Sequence, residues 1–141
     1  MSDAVFVHIR APKFQILPGE DDVLFNPGTY GMALCQYLEA ALRGRGHDVP
    51  SYNPEDWGWW FEVAHEPVRL ALQIYGREQS DGSLEHAVLF NETGGRTRAL
   101  RPSKRIDRTP FVEALRRDLL DVFETDPDIE IVQITDDFPL D

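Results

Sequence analysis

Residues 54–63 read Pro54-Glu55-Asp56-Trp57-Gly58-Trp59-Trp60-Phe61-Glu62-Val63 and hold all 3 tryptophans of the chain. A Pro-Glu-Asp turn leads into aromatic and β-branched residues, which suit a pleated, half-buried strand. Successive strand residues point to opposite faces. Trp57, Trp59, Phe61 and Val63 therefore share a core side, and Trp60 with Glu62 take the exposed or partner-facing side. The plainer reading makes all the tryptophans core packing, because large aromatics dominate the interior of small domains.

Working outward toward the N-terminus, residues 4–10 alternate as a strand. Val5, Val7 and Ile9 face one way; Phe6, His8 and Arg10 face the other. Residues 11–27 read as loop, with Pro12, Pro18, Pro27 and the run Gly19-Glu20-Asp21-Asp22. Within it Phe14-Gln15-Ile16-Leu17 is expected to add a short strand or edge extension. A helix is expected from about residue 29 to 43, capped by Asn26 or Thr29 with Pro27 in its first turn. Leu34, Cys35, Leu38, Ala41 and Leu42 form its apolar stripe, and Gly44 or Gly46 its left-handed C-terminal cap.

Toward the C-terminus, His65-Glu66-Pro67 makes a turn into residues 68–75. Val68, Leu70, Leu72 and Ile74 face one way, and Arg69, Ala71, Gln73 and Tyr75 the other. Such alternation marks an antiparallel sheet with one covered face. Asp81-Gly82 lies in a turn before a strand at 84–90. Residues 91–107 form a Gly- and Arg-rich connection. A second helix starts at Thr109-Pro110, buries Phe111, Leu115, Leu119 and Val122 or Phe123, and stops at Asp126-Pro127. Residues 129–134 read as a last strand, followed by an acidic flexible tail from about 135. The order β-α-β-β-β-α-β predicts an α+β fold, a single domain over 1–141. Its mainly antiparallel sheet has about five strands, with two helices on one face.

A chain of 141 residues buries roughly 68–70% of its unfolded surface, enough for a core without staples. The single cysteine, Cys35, allows no internal disulfide. The chain shows neither a basic-then-apolar leader nor an apolar run long enough to span a bilayer, so a cytoplasmic protein without membrane contact is expected. The net charge of −11 is uneven: Arg96, Arg98, Arg101, Lys104, Arg105, Arg108, Arg116 and Arg117 cluster in one stretch, and residues 118–141 hold no Lys or Arg. An acidic body works against nucleic-acid binding, which draws its affinity from cations on phosphates. A local anion site at Arg96, Arg98 and Arg101 remains a reading; mutual pairing with the acidic segment is the plainer one.

If the helices cover the Val5, Trp57 and Val68 side, the opposite side presents Phe6, His8, Arg10, Trp60, Glu62, Arg69, Gln73 and Tyr75, with His86 a further candidate. Aromatics mixed with both charge signs suit recognition, where Trp, Tyr and Arg carry the energy. Trp60, Glu62, Arg69, Tyr75 and His8 are the candidate partner-binding residues. A solvated face with cross-strand pairs such as Glu62 with Arg69 is the plainer alternative. The 4 histidines lack metal-ligand spacing, and no nucleophile elbow, phosphate loop or dinucleotide fingerprint is present. No catalytic residue, metal or cofactor is expected. Glu55, Asp56 and Glu62 near the tryptophans are the weak exception, as carboxylates an indole would keep protonated.

Residues 34–49, Leu34-Cys-Gln-Tyr-Leu-Glu-Ala-Ala-Leu-Arg-Gly-Arg-Gly-His-Asp-Val49, followed by Pro54-Glu-Asp-Trp-Gly-Trp59, resemble a group of small uncharacterised bacterial proteins. In that group a helix ending in arginine, glycine and valine precedes a Glu-Asp-Trp-Gly-Trp segment. The resemblance covers roughly residues 34–59. It implies a bacterial, cytoplasmic origin and no known activity. The residues themselves favour a non-enzymatic protein-binding module, an inhibitor or immunity-like partner of a protein that is itself basic. The alternative is a small-ligand-binding protein or enzyme with an anion site near residues 96–108. A homodimer through the open face is a third reading.

Overall fold

The alternating segments pair into one six-stranded antiparallel sheet in the computed structural model, whose described residues are 5–90 and 108–140. In chain order the elements are β1 (Val5–Arg10), α1 (Glu20–Val23), α2 (Met32–Arg43), β2 (Tyr52–Pro54), β3 (Trp59–His65), β4 (Val68–Glu78), β5 (Leu84–Phe90), α3 (Thr109–Thr125) and β6 (Glu130–Thr135). The strand order is β2-β3-β4-β5-β1-β6. The expected α+β class and antiparallel sheet are present. The sixth strand is β2, which pairs Tyr52 with Phe61 and Pro54 with Trp59. Its Pro54 suits an edge strand, where a missing N–H leaves no ladder bond unmade.

One sheet face carries Val7, Ile9, Trp59, Phe61, Val63, Leu70, Leu72, Ile74, Val88 and Phe90, all buried in a single core with Leu34, Leu38 and Leu42 of α2 and Val112, Leu115, Leu119 and Phe123 of α3. Both long helices therefore lie on that face. Two-residue alternation in the strands and the helical stripes meet there, and this burial is the main stabilising term. Among the described residues no helix is long and apolar enough to cross a membrane.

Several local expectations are corrected. Residues 14–17 form no strand; Phe14 is instead buried, packing edge-on against Tyr37 and His86. Helix α2 starts at Met32 rather than near 29, and Thr29 caps nothing, its hydroxyl donating to Asn26 O at 2.8 Å. The N-cap is Gly31, which has no side chain of its own to cap the helix. Val112 rather than Phe111 lies on the buried stripe of α3, and Phe111 is only partly buried. Strand β3 starts at Trp59, so Trp57 lies outside it, and its ring meets Tyr75 of the uncovered face at 5.2 Å. His86 belongs to the helix-covered face and is 1% exposed.

Of the two candidate C-cap glycines, Gly46 takes the left-handed conformation, with φ 93°. The His47 N–H then donates to Leu42 O at 3.0 Å and the Gly46 N–H to Arg43 O at 3.1 Å, the paired bonds of a Schellman motif. Gly76 has a different role. Tyr30 N–H donates to Gly76 O at 3.0 Å, drawing the loop before α2 against β4. A Cβ at position 76 would stand 2.6 Å from Tyr30 O. Gly76→Ala is expected to cost about 2 kcal/mol by forcing these backbones apart. A lower urea midpoint at unchanged slope is the measurement.

Candidate functional site

The face opposite the helices is read most simply by its cross-strand rows. Asn53, Trp60, Gln73, Leu89, Phe6 and Thr135 are successive partners across the six strands and form one row. Trp60 and Phe6 are three strand spacings apart, about 14 Å. Beside this row lies Tyr75–Ala87–His8–Gln133, and beyond it Glu85 with Arg77.

The two ends of the face differ. At the β2–β4 end Trp60 is half-buried, its indole N–H donating to Glu62 Oε2 at 3.2 Å. Arg69 reaches Glu62 at 3.7 Å and Glu66 at 2.9 Å, and its side chain is 47% exposed. A carboxylate fixes the indole in place, so little side-chain freedom remains to be lost on binding. Trp60, Glu62 and Arg69 thus come together as expected.

At the other end the face is covered. The ring of Tyr75 lies 5.9 Å from Phe6, 5.2 Å from Trp57 and 5.2 Å from Phe138 of the C-terminal segment. Tyr75 is therefore part of a half-buried aromatic cluster, its hydroxyl donating to Gln73 Oε1 at 3.0 Å. His8, expected on the surface, is 5% exposed. Its Nε2–H donates to Glu85 Oε1 at 2.7 Å, and the Gln133 amide donates to its Nδ1 at 3.2 Å. Arg10 completes the network through Nε to Glu85 Oε2 at 2.8 Å. Burial would raise the Glu85 pKa, but the bonds from Arg10 and His8 outweigh it and hold the carboxyl below its ordinary value. His8 is structural here, because both ring nitrogens are engaged.

Two further clusters lie on the helix side and were not singled out from the sequence. His47, oriented by the Schellman turn, meets Asp118 Oδ2 through Nε2 at 2.7 Å and His65 Nε2 through Nδ1 at 2.8 Å. With His47 neutral, Asp118 accepts from Nε2–H and the Nδ1 lone pair accepts from His65 Nε2–H. Burial, then the proximity of His47, lowers the His65 pKa, with Asp48 opposing. Burial would raise Asp118, but His47 and Arg117 hold it below its ordinary value. The trio ties the loop after α2, the end of β3 and α3 together. The sequence signal was faint: the stripe of α3 marks Leu115 and Leu119 but not the polar Asp118 at its margin.

The second cluster lines an open cleft of about 620 Å³ between the ends of α2 and α3. Tyr37 donates to Asp126 Oδ2 at 2.6 Å, and Lys13 pairs with the same carboxylate. The Lys13 and Tyr37 bonds lower Asp126 to about 2. Its charges satisfy one another, so the cleft reads as a clasp.

Among the described residues no group of three or more His, Cys, Asp or Glu side chains is placed to hold a metal ion. Cys35 is buried in the core, and burial raises its thiol pKa well above the usual value, an inert state. Arg96, Arg98 and Arg101 lie outside the described residues. No protein-family model matches the chain, and neither a curated protein nor a solved structure is significantly similar to it.

Proposed function

We propose that the chain is a non-enzymatic protein-binding module, which engages a basic protein partner through the uncovered β2–β4 end of its open face. The observation that carries this reading is Trp60: a partly exposed indole fixed by Glu62, on a sheet face that neither helix covers. Aromatic anchors of this kind dominate interface energetics. The net charge of −11 favours a cationic partner and speeds encounter with it. An inhibitor or immunity-like role in a bacterial cytoplasm fits this chemistry.

The experiment is capture from host lysate by the wild-type chain, Trp60→Ala and an α3 control, Arg117→Ala. A basic partner retained by wild type and control, eluted by salt and lost from Trp60→Ala supports the reading. Equal retention by all three rejects it. Self-association through the same face would show instead as concentration-dependent sedimentation without any captured protein.

One observation favours the small-ligand reading. The guanidinium Nε and Nη2 of Arg108 are buried and have no hydrogen-bond partner among the described residues, and an anion would supply one. Phosphate should then raise the melting temperature, and charge reversal at Arg98 and Arg101 should erase the rise.

A further inference from the structure

The bridge between Asp48 and Ala64 sets the residues that flank it, His47 and His65, opposite one another on the helix-covered side. They are 18 positions apart in the chain, so no motif spacing marks the pair. Their rings meet nitrogen to nitrogen, His47 Nδ1 to His65 Nε2 at 2.8 Å, with the ring planes 79° apart. Imidazole nitrogens bind zinc at about 2.0–2.1 Å, so two on one ion stand about 2.9 Å apart at a right angle and about 3.3 Å apart at the tetrahedral angle. The pair is spread almost as a chelate requires. A shift of about half an ångström, with a tilt of the less buried His65 ring, reaches the tetrahedral spacing.

Both rings are held in place. His47 Nε2–H donates to Asp118 Oδ2 at 2.7 Å, which leaves the lone pair on Nδ1, and a carboxylate behind a histidine is the usual support of a metal ligand. Asp118 in turn accepts from Arg117 Nε at 3.4 Å. The His65 ring stacks on Phe111 with centroids 5.5 Å apart. The His47 side chain is 3% exposed and His65 is partly exposed, so the nitrogen pair is approached from the His65 side. The proton that His65 Nε2 donates to His47 has another place to go, because His65 Nδ1 makes no hydrogen bond among the described residues. A neutral His65 can change tautomer and free its Nε2 lone pair with no net loss of a proton. Burial and His47 lower the His65 pKa and keep the ring neutral at neutral pH.

We infer that His47 Nδ1 and His65 Nε2 form a two-histidine chelate for a divalent transition ion such as zinc, with Asp118 as its supporting carboxylate. Among the described residues no third His, Cys, Asp or Glu is placed to complete the set, so the remaining coordination positions take water and stay accessible. The donor set selects the ion: imidazole suits zinc, copper and nickel, whereas magnesium and calcium require several oxygen ligands. A bound ion would replace the N–H···N bond that joins the loop after α2 to the end of β3. The chelate lies on the side of the sheet opposite Trp60 and is independent of the partner surface.

The test is calorimetric titration of the full chain, freed of metal by a chelator, with zinc chloride at neutral pH and with magnesium chloride as control. Wild type should take up one zinc ion at micromolar concentrations and no magnesium. His65→Ala and His47→Ala should each weaken zinc uptake by about 100-fold, the upper end of what losing even a supporting group costs. Zinc should also raise the melting temperature of wild type and leave that of His65→Ala where it was. Because His47 is buried, its variant is open to misfolding, and the wild-type imidazole nitrogen resonances give the same answer without it. Zinc should shift His47 Nδ1 and His65 Nε2, keep the proton on His47 Nε2 and move the His65 proton to Nδ1. No zinc uptake by wild type, uptake of equal strength in a folded His65→Ala chain, or zinc that leaves both nitrogen resonances unmoved would each overturn the inference.

Discussion

Replacing Glu20 with alanine should lower the stability of the fold by about 3 kcal/mol, measured by urea unfolding. Glu20 is 0% exposed, yet its carboxylate is fully used. Oε2 accepts from the Gly31 N–H at 2.9 Å and the Met32 N–H at 3.0 Å, and Oε1 from the Leu17 N–H at 3.3 Å. The first turn of a helix has N–H groups without intrahelical partners, and a carboxylate there also meets the favourable end of the helix dipole. Gly31, the N-cap, has no side chain to offer, so α1 delivers the cap from eleven residues upstream. Truncation strands these donors in the core, each at roughly 1–3 kcal/mol. Glu20→Gln keeps one acceptor oxygen and should lose about half as much. A loss below about 1 kcal/mol for the alanine variant would show that α2 has another cap.

The second large effect is acid lability centred on His86. Its imidazole, packed edge-on against Phe14 at 5.8 Å, is lowered by burial from 6.5 to about 4, with Glu85 opposing. The unfolded chain protonates this group near pH 6.5, the folded chain only near 4, so the unfolded state binds more protons in between. Stability should therefore fall as pH drops from 6.5 to about 4 and level off below, by about 3 kcal/mol from this residue. His65, lowered by burial and by His47, adds in the same direction. In His86→Leu the acid-side slope should be much shallower, whatever the variant does to stability at neutral pH. An unchanged slope would assign the lability elsewhere.

Sequence reading succeeded where one period dominated. Residues 68–75 alternate cleanly because one side is buried on two helices, and that face is the observed core. The stripes of α2 and α3 followed from 3.6-residue spacing for the same reason. It failed where a residue's environment depends on a distant segment. Glu20 read as one of an acidic run in a loop, because its partners Gly31 and Met32 lie eleven and twelve residues on. Trp57 fell on the wrong side because β3 begins only at Trp59, and alternation says nothing outside a strand. At the candidate site, Trp60, Glu62 and Arg69 were legible from strand phase alone. His8 and Tyr75 have the same phase but are covered, by the Glu85–Gln133 network and by Phe138. The tail read as flexible from its charge, and its Phe138 and Leu140 gave too short an apolar signal to show where they dock.

The most direct measurement is the affinity of Trp60→Ala for the captured partner, beside the melting temperature of the same variant. The proposed binding face requires at least about 2 kcal/mol lost in binding, roughly 30-fold in Kd, with unfolding nearly unchanged. Wild-type affinity in a folded Trp60→Ala protein would contradict it. So would collapse of the fold, which would make the indole a core residue rather than an anchor.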